Sequence, residues 1–406
     1  MMSLFDKYKG LEAQRELILK AGRDPFGVCL EKIVSPTRAI IEGRQTILAG
    51  SNNYLGLTLD EGGVKAAQQA VADFGTGTTG SRLANGTYDL HRDLEAALAD
   101  FLGYKTAMVF STGYTANLGA LSGLANADDM IFIDSDCHAS IYDGCKLSGA
   151  STIRFRHNSA EDLAKRLRRA DAGCGKLVVV EGMYSMFGDI APLDELAAAA
   201  HEGGAMLMVD EAHSFGVFGD TGRGVAEAQG VMDQVDFYTG TFSKSLASIG
   251  GFCASNHEMF DLIRVASRPY MFTASPAPSS IAGARSALRA IRERKDLRDS
   301  LWKNARRLHA ALAEQGHDLC ADPSPVVAVR LPDRAMAVLF WNALLEAGVY
   351  ANLAIPPGTP NSASLIRLSV SAAHTFDEID AIADAFKAAQ AHLASMPELA
   401  EATAAL

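Results

Sequence analysis

Lys176–Ser214 reads KLVVVEGMYSMFGDIAPLDELAAAAHEGGAMLMVDEAHS, and its pattern decides the fold. Two short apolar runs, KLVVVEG (176–182) and AMLMVD (205–210), flank one helical segment, LDELAAAAHEGG (193–204). Neither run alternates polar with apolar, so both faces of each strand are expected to be covered, as in a parallel sheet sandwiched by helices. A strand, a helix and a second parallel strand imply a right-handed crossover.

The same alternation continues on both sides. Helical VKAAQQAVADF (64–74) and LHRDLEAALADFLG (90–103) precede the strand TAMVF (106–110). Helix GYTANLGALSGLA then leads to strand MIFID (130–134), helix HASIYDGCKLSG to strand STIRF (151–155), and helix AEDLAKRLRRA to the stretch quoted above. A further strand, VDFYTG, ends at Gly240. This is an α/β layout over about residues 63–295, and ligands of such sheets gather at the carboxyl ends of the strands. The pattern then changes. A long helix, LRDSLWKNARRLHAALAEQG, leads to SPVVAVRLP, a helix over 334–347, strands VYANLAI and SLIRLSVS, and a last helix from about 375. We read 296–406 as a smaller α+β domain, 49–295 as the larger domain, and 1–48 as a segment packing with the smaller one. That segment holds an amphipathic helix and a strand pair in RAIIEGRQTIL (38–48).

Bulk properties narrow the function. Hydrophobic residues make up 48% and charged ones 21% of the 406, and the net charge is −11. An acidic chain without a basic patch argues against binding nucleic acid. The charged N-terminus does not read as a secretion signal, and no run approaches the ~20 apolar residues of a membrane span. A cytoplasmic protein with reduced thiols is expected. Six scattered cysteines with no Cys-x-x-Cys pair supply no metal-ligand spacing, so no metal is expected.

The strand ends carry the chemistry. After TAMVF, Ser111-Thr112-Gly113 opens a helix whose free N–H groups and dipole suit a phosphate. After MIFID, His138 opens the next helix; after KLVVVEG come Ser185 and Asp189. Asp210 ends AMLMVD, with His213 three residues on, and an aspartate leaving a buried strand needs a partner. The letters DEAH (210–213) also match an acidic box of nucleic-acid-dependent ATPases. That reading requires a G-x-x-x-x-G-K-[ST] loop upstream, and the nearest stretch, GCGKLV, has Leu177 where the hydroxyl residue belongs.

Lys244 stands alone among hydroxyls and glycines in YTGTFSKSLASIGG (238–251). A site for pyridoxal 5'-phosphate needs a Schiff-base lysine, an acid facing the ring nitrogen and a cup for the phosphate. Lys244, Asp210 and the group Gly113, Thr241 and Ser243 supply these, each at a strand end.

The stretches GSRLANGTYDLHRDLE, FSTGYTANLG, DSDCHASIYDGC, FRHNSAEDL, EGMYSMFGDIAPL, VDEAHSFGVFG, GTFSKS and RPYMFTAS together resemble the α-oxoamine synthases. These enzymes of fold type I use pyridoxal phosphate to condense an amino acid with an acyl thioester. The resemblance covers nearly the whole chain. It implies a large domain with a mainly parallel seven-stranded sheet covered by helices, plus the smaller α+β domain. It also implies L-serine and a long-chain acyl thioester, on coenzyme A or acyl carrier protein, as substrates. Relatives within the family take alanine or glycine instead.

Carried over residue by residue, the resemblance makes Lys244 the cofactor-holding lysine and the base at the substrate α-carbon. Asp210 would face the ring nitrogen, His138 would stack on the ring and help orient the substrate carboxylate, and His213 would reach the ring hydroxyl. Gly113, Tyr114, Thr241 and Ser243 would line the cofactor site, with Ser185 a further contact. Thr273 would reach the phosphate of a partner subunit's cofactor, which implies a homodimer with shared active sites. Arg367 would bind the amino-acid carboxylate, with Asn52 and Tyr54 bordering the substrate. The family's mobile loop often reads ARPPATP; here it is AIPPGTP, so Ile355 replaces an arginine and carboxylate binding shifts onto Arg367 and His138. A lipid product leaves room for peripheral contact with the inner membrane.

Overall fold

The computed structural model describes residues 3–171, 173–356 and 358–395. They group into a smaller unit (Met1–Tyr54, Met186–Gly188 and Ser300–Leu406) and a larger one (Leu55–Ser185 and Asp189–Asp299).

The smaller unit starts with helix α1 (Lys9–Ala21) and an antiparallel meander, β1 (Lys32–Ser35), β2 (Arg38–Ile41) and β3 (Arg44–Leu48). The β2–β3 turn is Glu42-Gly43, with φ of 50° and 70°, the left-handed pair that a tight hairpin of this twist requires.

In the larger unit, helices α2 (Glu61–Phe74) and α3 (Asp89–Leu102) precede a seven-stranded sheet. Its members are β4 (Thr106–Phe110), β5 (Met130–Asp134), β6 (Ser151–Phe155), β7 (Lys176–Glu181), β8 (Met206–Asp210), β9 (Phe237–Thr241) and β10 (Gly251–Ser255). They lie in the order β4-β10-β9-β8-β7-β5-β6. Helices α4 (Gly113–Leu124), α5 (Ala139–Ser148), α6 (Ala160–Leu167) and α7 (Leu193–Glu202) follow β4, β5, β6 and β7. The runs VVV of β7 and LMV of β8 are wholly buried, which explains why these strands do not alternate. The pairs β5–β6, β5–β7, β7–β8 and β8–β9 are parallel, whereas β10 runs antiparallel to both β4 and β9. The sheet is therefore mainly parallel, as the resemblance implies. The sequence pattern does not mark strand β10, because its Gly250-Gly251 start reads as loop. A Cβ on Gly251 would come 2.5 Å from the Thr112 carbonyl oxygen, so only glycine lets β10 return against the start of α4.

The smaller unit resumes with β11 (Asp318–Leu319), β12 (Val326–Leu331), β13 (Val349–Tyr350), β14 (Asn352–Ala354) and β15 (Ser364–Ser369). Four of these form the antiparallel sheet β11-β12-β15-β14, while β13 pairs in parallel with β3. The run VYANLAI thus divides between two sheets. At the crossover the Ala351 carbonyl leaves both ladders and accepts the Trp341 indole N–H at 2.8 Å. The last helix, Phe376–Ala394, opens with a reciprocal cap between Thr375 and Glu378. Glu378 also accepts from Arg38 Nε at 2.6 Å, tying β2 to that helix. Among the described residues no helix is long and apolar enough to cross a membrane.

Candidate active site

The carboxyl ends of β4, β5, β7, β8 and β9 surround a cavity of about 320 Å³ in the larger unit. Gly113, Tyr114, His138, Asp210, His213, Thr241, Ser243 and Lys244 all line it. Segments more than a hundred residues apart meet here because each follows a strand of one sheet, and this is where an open α/β sheet binds its ligand.

One wall is the start of α4. Thr112 caps the helix, its hydroxyl oxygen accepting the Thr115 N–H at 3.0 Å. A Cβ on Gly113 would lie 2.7 Å from Thr241 Cβ, so glycine is needed for the helix start to approach β9. The hydroxyls of Thr241 and Ser243 sit 2.9 Å apart beside it. A helix N-terminus plus two hydroxyls is a donor set suited to a phosphate monoester.

A second wall is acidic. Asp210 is 5% exposed; its Oδ2 accepts from Asn117 Nδ2 at 2.7 Å and its Oδ1 from the Ala212 N–H at 2.9 Å. Glu181, 3% exposed, is paired in register with Asp210 across β7 and β8 and also lines the cavity. Burial, and behind it the neighbouring Asp210 charge, pushes the Glu181 carboxyl well above the usual carboxylate range. Glu181 accepts the His138 backbone N–H. Glu211 turns away from the cavity and anchors a loop. It accepts the N–H groups of Val225 at 2.9 Å and Ala226 at 2.8 Å, and the Ser214 hydroxyl, fixing the loop that carries His213. Burial pushes its carboxyl up to about 7 against the pull of those bonds. The acidic letters of DEAH are thus a site carboxylate followed by a loop anchor.

His138 caps α5, Nδ1 accepting the Ser140 N–H at 3.2 Å. Burial lowers its pKa; Asp210 opposes this and Lys244 adds to it. Tyr114 presents its ring edge-on to His138 at 6.4 Å and donates its hydroxyl proton to Asp143. Lys244 is held by its turn: its carbonyl accepts the Ala247 N–H at 2.9 Å, Phe242 O accepts from Ser248 and Gly250 O from Phe242, each at 2.9 Å.

Ser185 and Thr273 do not line this cavity, and the residues Asn52, Tyr54 and Arg367 belong to the smaller unit. There Arg367, 6% exposed, donates to Asn52 Oδ1 at 3.3 Å and to the Ser369 hydroxyl at 3.0 Å, and the Tyr54 hydroxyl donates to Asn52 Oδ1 at 3.4 Å. Ile355 is half-buried, and the carbonyl of Pro356 accepts from Arg334 at 2.9 Å; Pro357 of the same loop lies outside the described residues.

Three lining residues with polar side chains are missing from the sequence reading. Glu181 ends an apolar strand as Asp210 does, so the same signal could have found it. Asn117 and Ser140 sit inside helices among ordinary neighbours and carry no such signal.

Beside the site, His157 bridges Asp134 and Asp189, at 2.8 Å on each ring nitrogen, joining the loops after β5, β6 and β7. Burial opposes its charge, but the two carboxylates outweigh this and raise its pKa to about 10. A folded pKa above the unfolded value of about 6.5 means the bridge stabilises fully below about pH 6.5 and fades as pH rises through about 10. The ring is 26% exposed, so His157→Ala should cost about 2–4 kcal/mol near neutral pH, less than a fully buried pair, and this cost should shrink toward about pH 10 in urea titrations. A cost that grows with pH would refute the bridge.

Known proteins share this fold and much of this sequence. A serine palmitoyltransferase of Caulobacter vibrioides is 55% identical over 382 residues, 94% of this chain and 95% of that protein. One from Sphingomonas paucimobilis is 49% identical, with 95% and 93% covered. A solved structure of serine palmitoyltransferase with a pyridoxal phosphate internal aldimine superposes with a TM-score of 0.95 at 48% identity, covering 97% of this chain and all of that one. The aminotransferase class I and II pattern runs through residues 44–386, from β3 through both units into the last helix, and Lys244, Asp210, Gly113, Thr241 and Ser243 all fall inside it: the chain belongs to that family.

Proposed function

We propose that this chain is a serine palmitoyltransferase: it binds pyridoxal 5'-phosphate and condenses L-serine with a long-chain acyl thioester, releasing CO2 and the thiol and forming 3-ketodihydrosphingosine when the acyl group is palmitoyl. The carrying observation is the cavity that unites Lys244, Asp210, His138 and the Gly113–Thr241–Ser243 cup. The near full-length identity to serine palmitoyltransferases supports the choice of serine.

The residues fit the cofactor. The glycine cradle and two hydroxyls suit its phosphate, and buried Asp210, already oriented by two donors, suits a protonated ring nitrogen. Bound pyridoxal phosphate supplies the electron sink for the pair released at the amino-acid α-carbon. Lys244 takes the α-proton and returns a proton after CO2 is lost. Asp210 keeps the ring nitrogen protonated, His138 covers the ring face, and His213 is assigned to the ring hydroxyl. The helix start with Thr241 and Ser243 holds the phosphate; Tyr114 and Ser185 are assigned as flanking contacts. Arg367, buried and oriented by Asn52 and Ser369, is a preformed carboxylate anchor, bordered by Tyr54. A desolvated guanidinium–carboxylate bond of this kind contributes about 1.5–3 kcal/mol, and with Ile355 in the loop more of the carboxylate binding falls on Arg367 and His138.

We assign cofactor binding to residues 49–295 and the smaller domain to 296–406 with 1–48. We also assign a homodimer, in which Thr273 serves the other subunit's phosphate. The protein is read as cytoplasmic, touching the inner membrane only peripherally to deliver a lipid, and as serving the first step of sphingolipid synthesis.

Titrating the holoenzyme with serine, glycine and alanine tests the reading. Serine should change the cofactor's visible spectrum, and serine plus palmitoyl thioester should give 3-ketodihydrosphingosine by mass spectrometry. A response to glycine or alanine alone would reassign the chain to a relative using those amino acids.

A further inference from the structure

His138 is held from its own helix and from α4. Asn117 Nδ2 donates to Asp210 Oδ2 at 2.7 Å and to the Ser140 hydroxyl oxygen at 2.9 Å. That hydroxyl lies 2.8 Å from His138 Nδ1, which also accepts the Ser140 backbone N–H at 3.2 Å. The order is therefore carboxylate, amide, hydroxyl, imidazole. Each link has one sense. A carboxylate only accepts, so the amide must donate to it; the amide's second N–H then occupies the Ser140 oxygen. The Ser140 backbone N–H can only donate, so Nδ1 must offer its lone pair, and the Ser140 hydroxyl facing that lone pair donates to it as well.

We propose that Asn117 and Ser140 are positioning residues that transmit the orientation of Asp210 to His138 and hold its imidazole as the Nε2–H tautomer, so that Nε2 is a fixed donor for the amino-acid carboxylate. The proposal rests on the reading of the cavity as an amino-acid and cofactor site. The charged and titratable groups that line the cavity with the imidazole are Asp210 on β8, His213 after β8, Glu181 on β7, Lys244 after β9 and Tyr114 on α4. Burial acts with the chain of bonds, since it too favours the neutral ring. Asn117 Oδ1 is buried and lacks a hydrogen-bond partner among the described residues, so nothing on that side of the amide competes for its orientation; the two N–H bonds alone set it.

Long-range nitrogen–proton NMR on histidine-labelled protein, without cofactor and with it, reads the tautomer directly. His138 should appear as the neutral Nε2–H form near pH 7.5, and Ser140→Ala, which keeps the backbone N–H but loses the shorter hydroxyl bond, should add a detectable fraction of the Nδ1–H form. In the holoenzyme Ser140→Ala should raise the serine KM about tenfold with kcat changed less than about threefold, because a ground-state contact is loosened. Ser140→Thr, which keeps the hydroxyl, should restore both. Cofactor affinity should stay within about twofold and Tm should fall by no more than a few degrees, the cost of one lost buried hydrogen bond, which separates positioning from a packing defect. An Nδ1–H or charged imidazole in the parent protein overturns the proposal, and so does a Ser140→Ala variant with unchanged tautomer and KM. If Ser140→Ala does not fold, the parent spectrum decides by itself. The tautomer measurement needs no substrate, so it stands or falls independently of whether serine is the amino acid used.

Discussion

Lys244→Ala should reduce turnover by at least about 10³-fold and remove the visible absorbance of the lysine-bound cofactor, while leaving the fold in place. The expected loss is large because one side chain is assigned both to hold the cofactor and to move the α-proton. The fold should survive because the turn is built from backbone. Phe242, Lys244 and Gly250 supply the carbonyls that close it, and the Ser248 hydroxyl anchors it to Ser280 O at 2.7 Å. None of these bonds uses the lysine amine. Far-ultraviolet circular dichroism should therefore overlay that of the parent, and Tm should stay within a few degrees. Phosphate contacts should still retain the cofactor, now free in its aldehyde form. Activity above about one hundredth of the parent's would refute both assigned roles.

Asp210→Asn should lower kcat by about 10²–10³-fold and weaken cofactor binding, the usual cost of removing a preorganised charge opposite a group that develops charge in the reaction. Two effects add. The anion that keeps the ring nitrogen protonated is lost. In addition, both carboxylate oxygens now accept, one from Asn117 and one from the Ala212 N–H, and a carboxamide can accept at only one of them. Its NH2 must face a donor, so either the Asn117 amide or the Ala212 N–H is disturbed as well. Removing the charge also removes one of the causes that raise the Glu181 carboxyl, so that carboxyl should ionise more readily. Glu181 would not substitute, because its position on β7 and its bond to the His138 N–H are fixed. Cofactor titration by fluorescence together with pre-steady-state rates would measure both losses. An unchanged kcat would mean that Asp210 does not face the ring nitrogen.

Much of the site is legible because its signals are local. Asp210 stands at the end of an apolar strand, Gly113 follows a strand and opens a helix, and Lys244 lacks charged neighbours in sequence. Each of those facts is visible within a few residues. Glu181 meets the Asp210 criterion equally well, but the loop-like EGMYS that it begins hides it. Asn117 is not legible: an asparagine in mid-helix looks like a solvent-facing residue until the helix is packed, when it proves buried between Asp210 and Ser140.

The sequence by itself determined the alternation of helices and strands and set the candidate residues at the strand ends. Periodicity, capping and burial of short apolar runs are properties of neighbouring residues. Only the tertiary structure decided the strand order β4-β10-β9-β8-β7-β5-β6, the antiparallel return of β10, the division of VYANLAI between two sheets and the chain of bonds from Asp210 to His138. These depend on which distant segment satisfies a given backbone or side-chain group, and a partner 23 or 93 residues away, as for Asn117, leaves no trace in the local pattern.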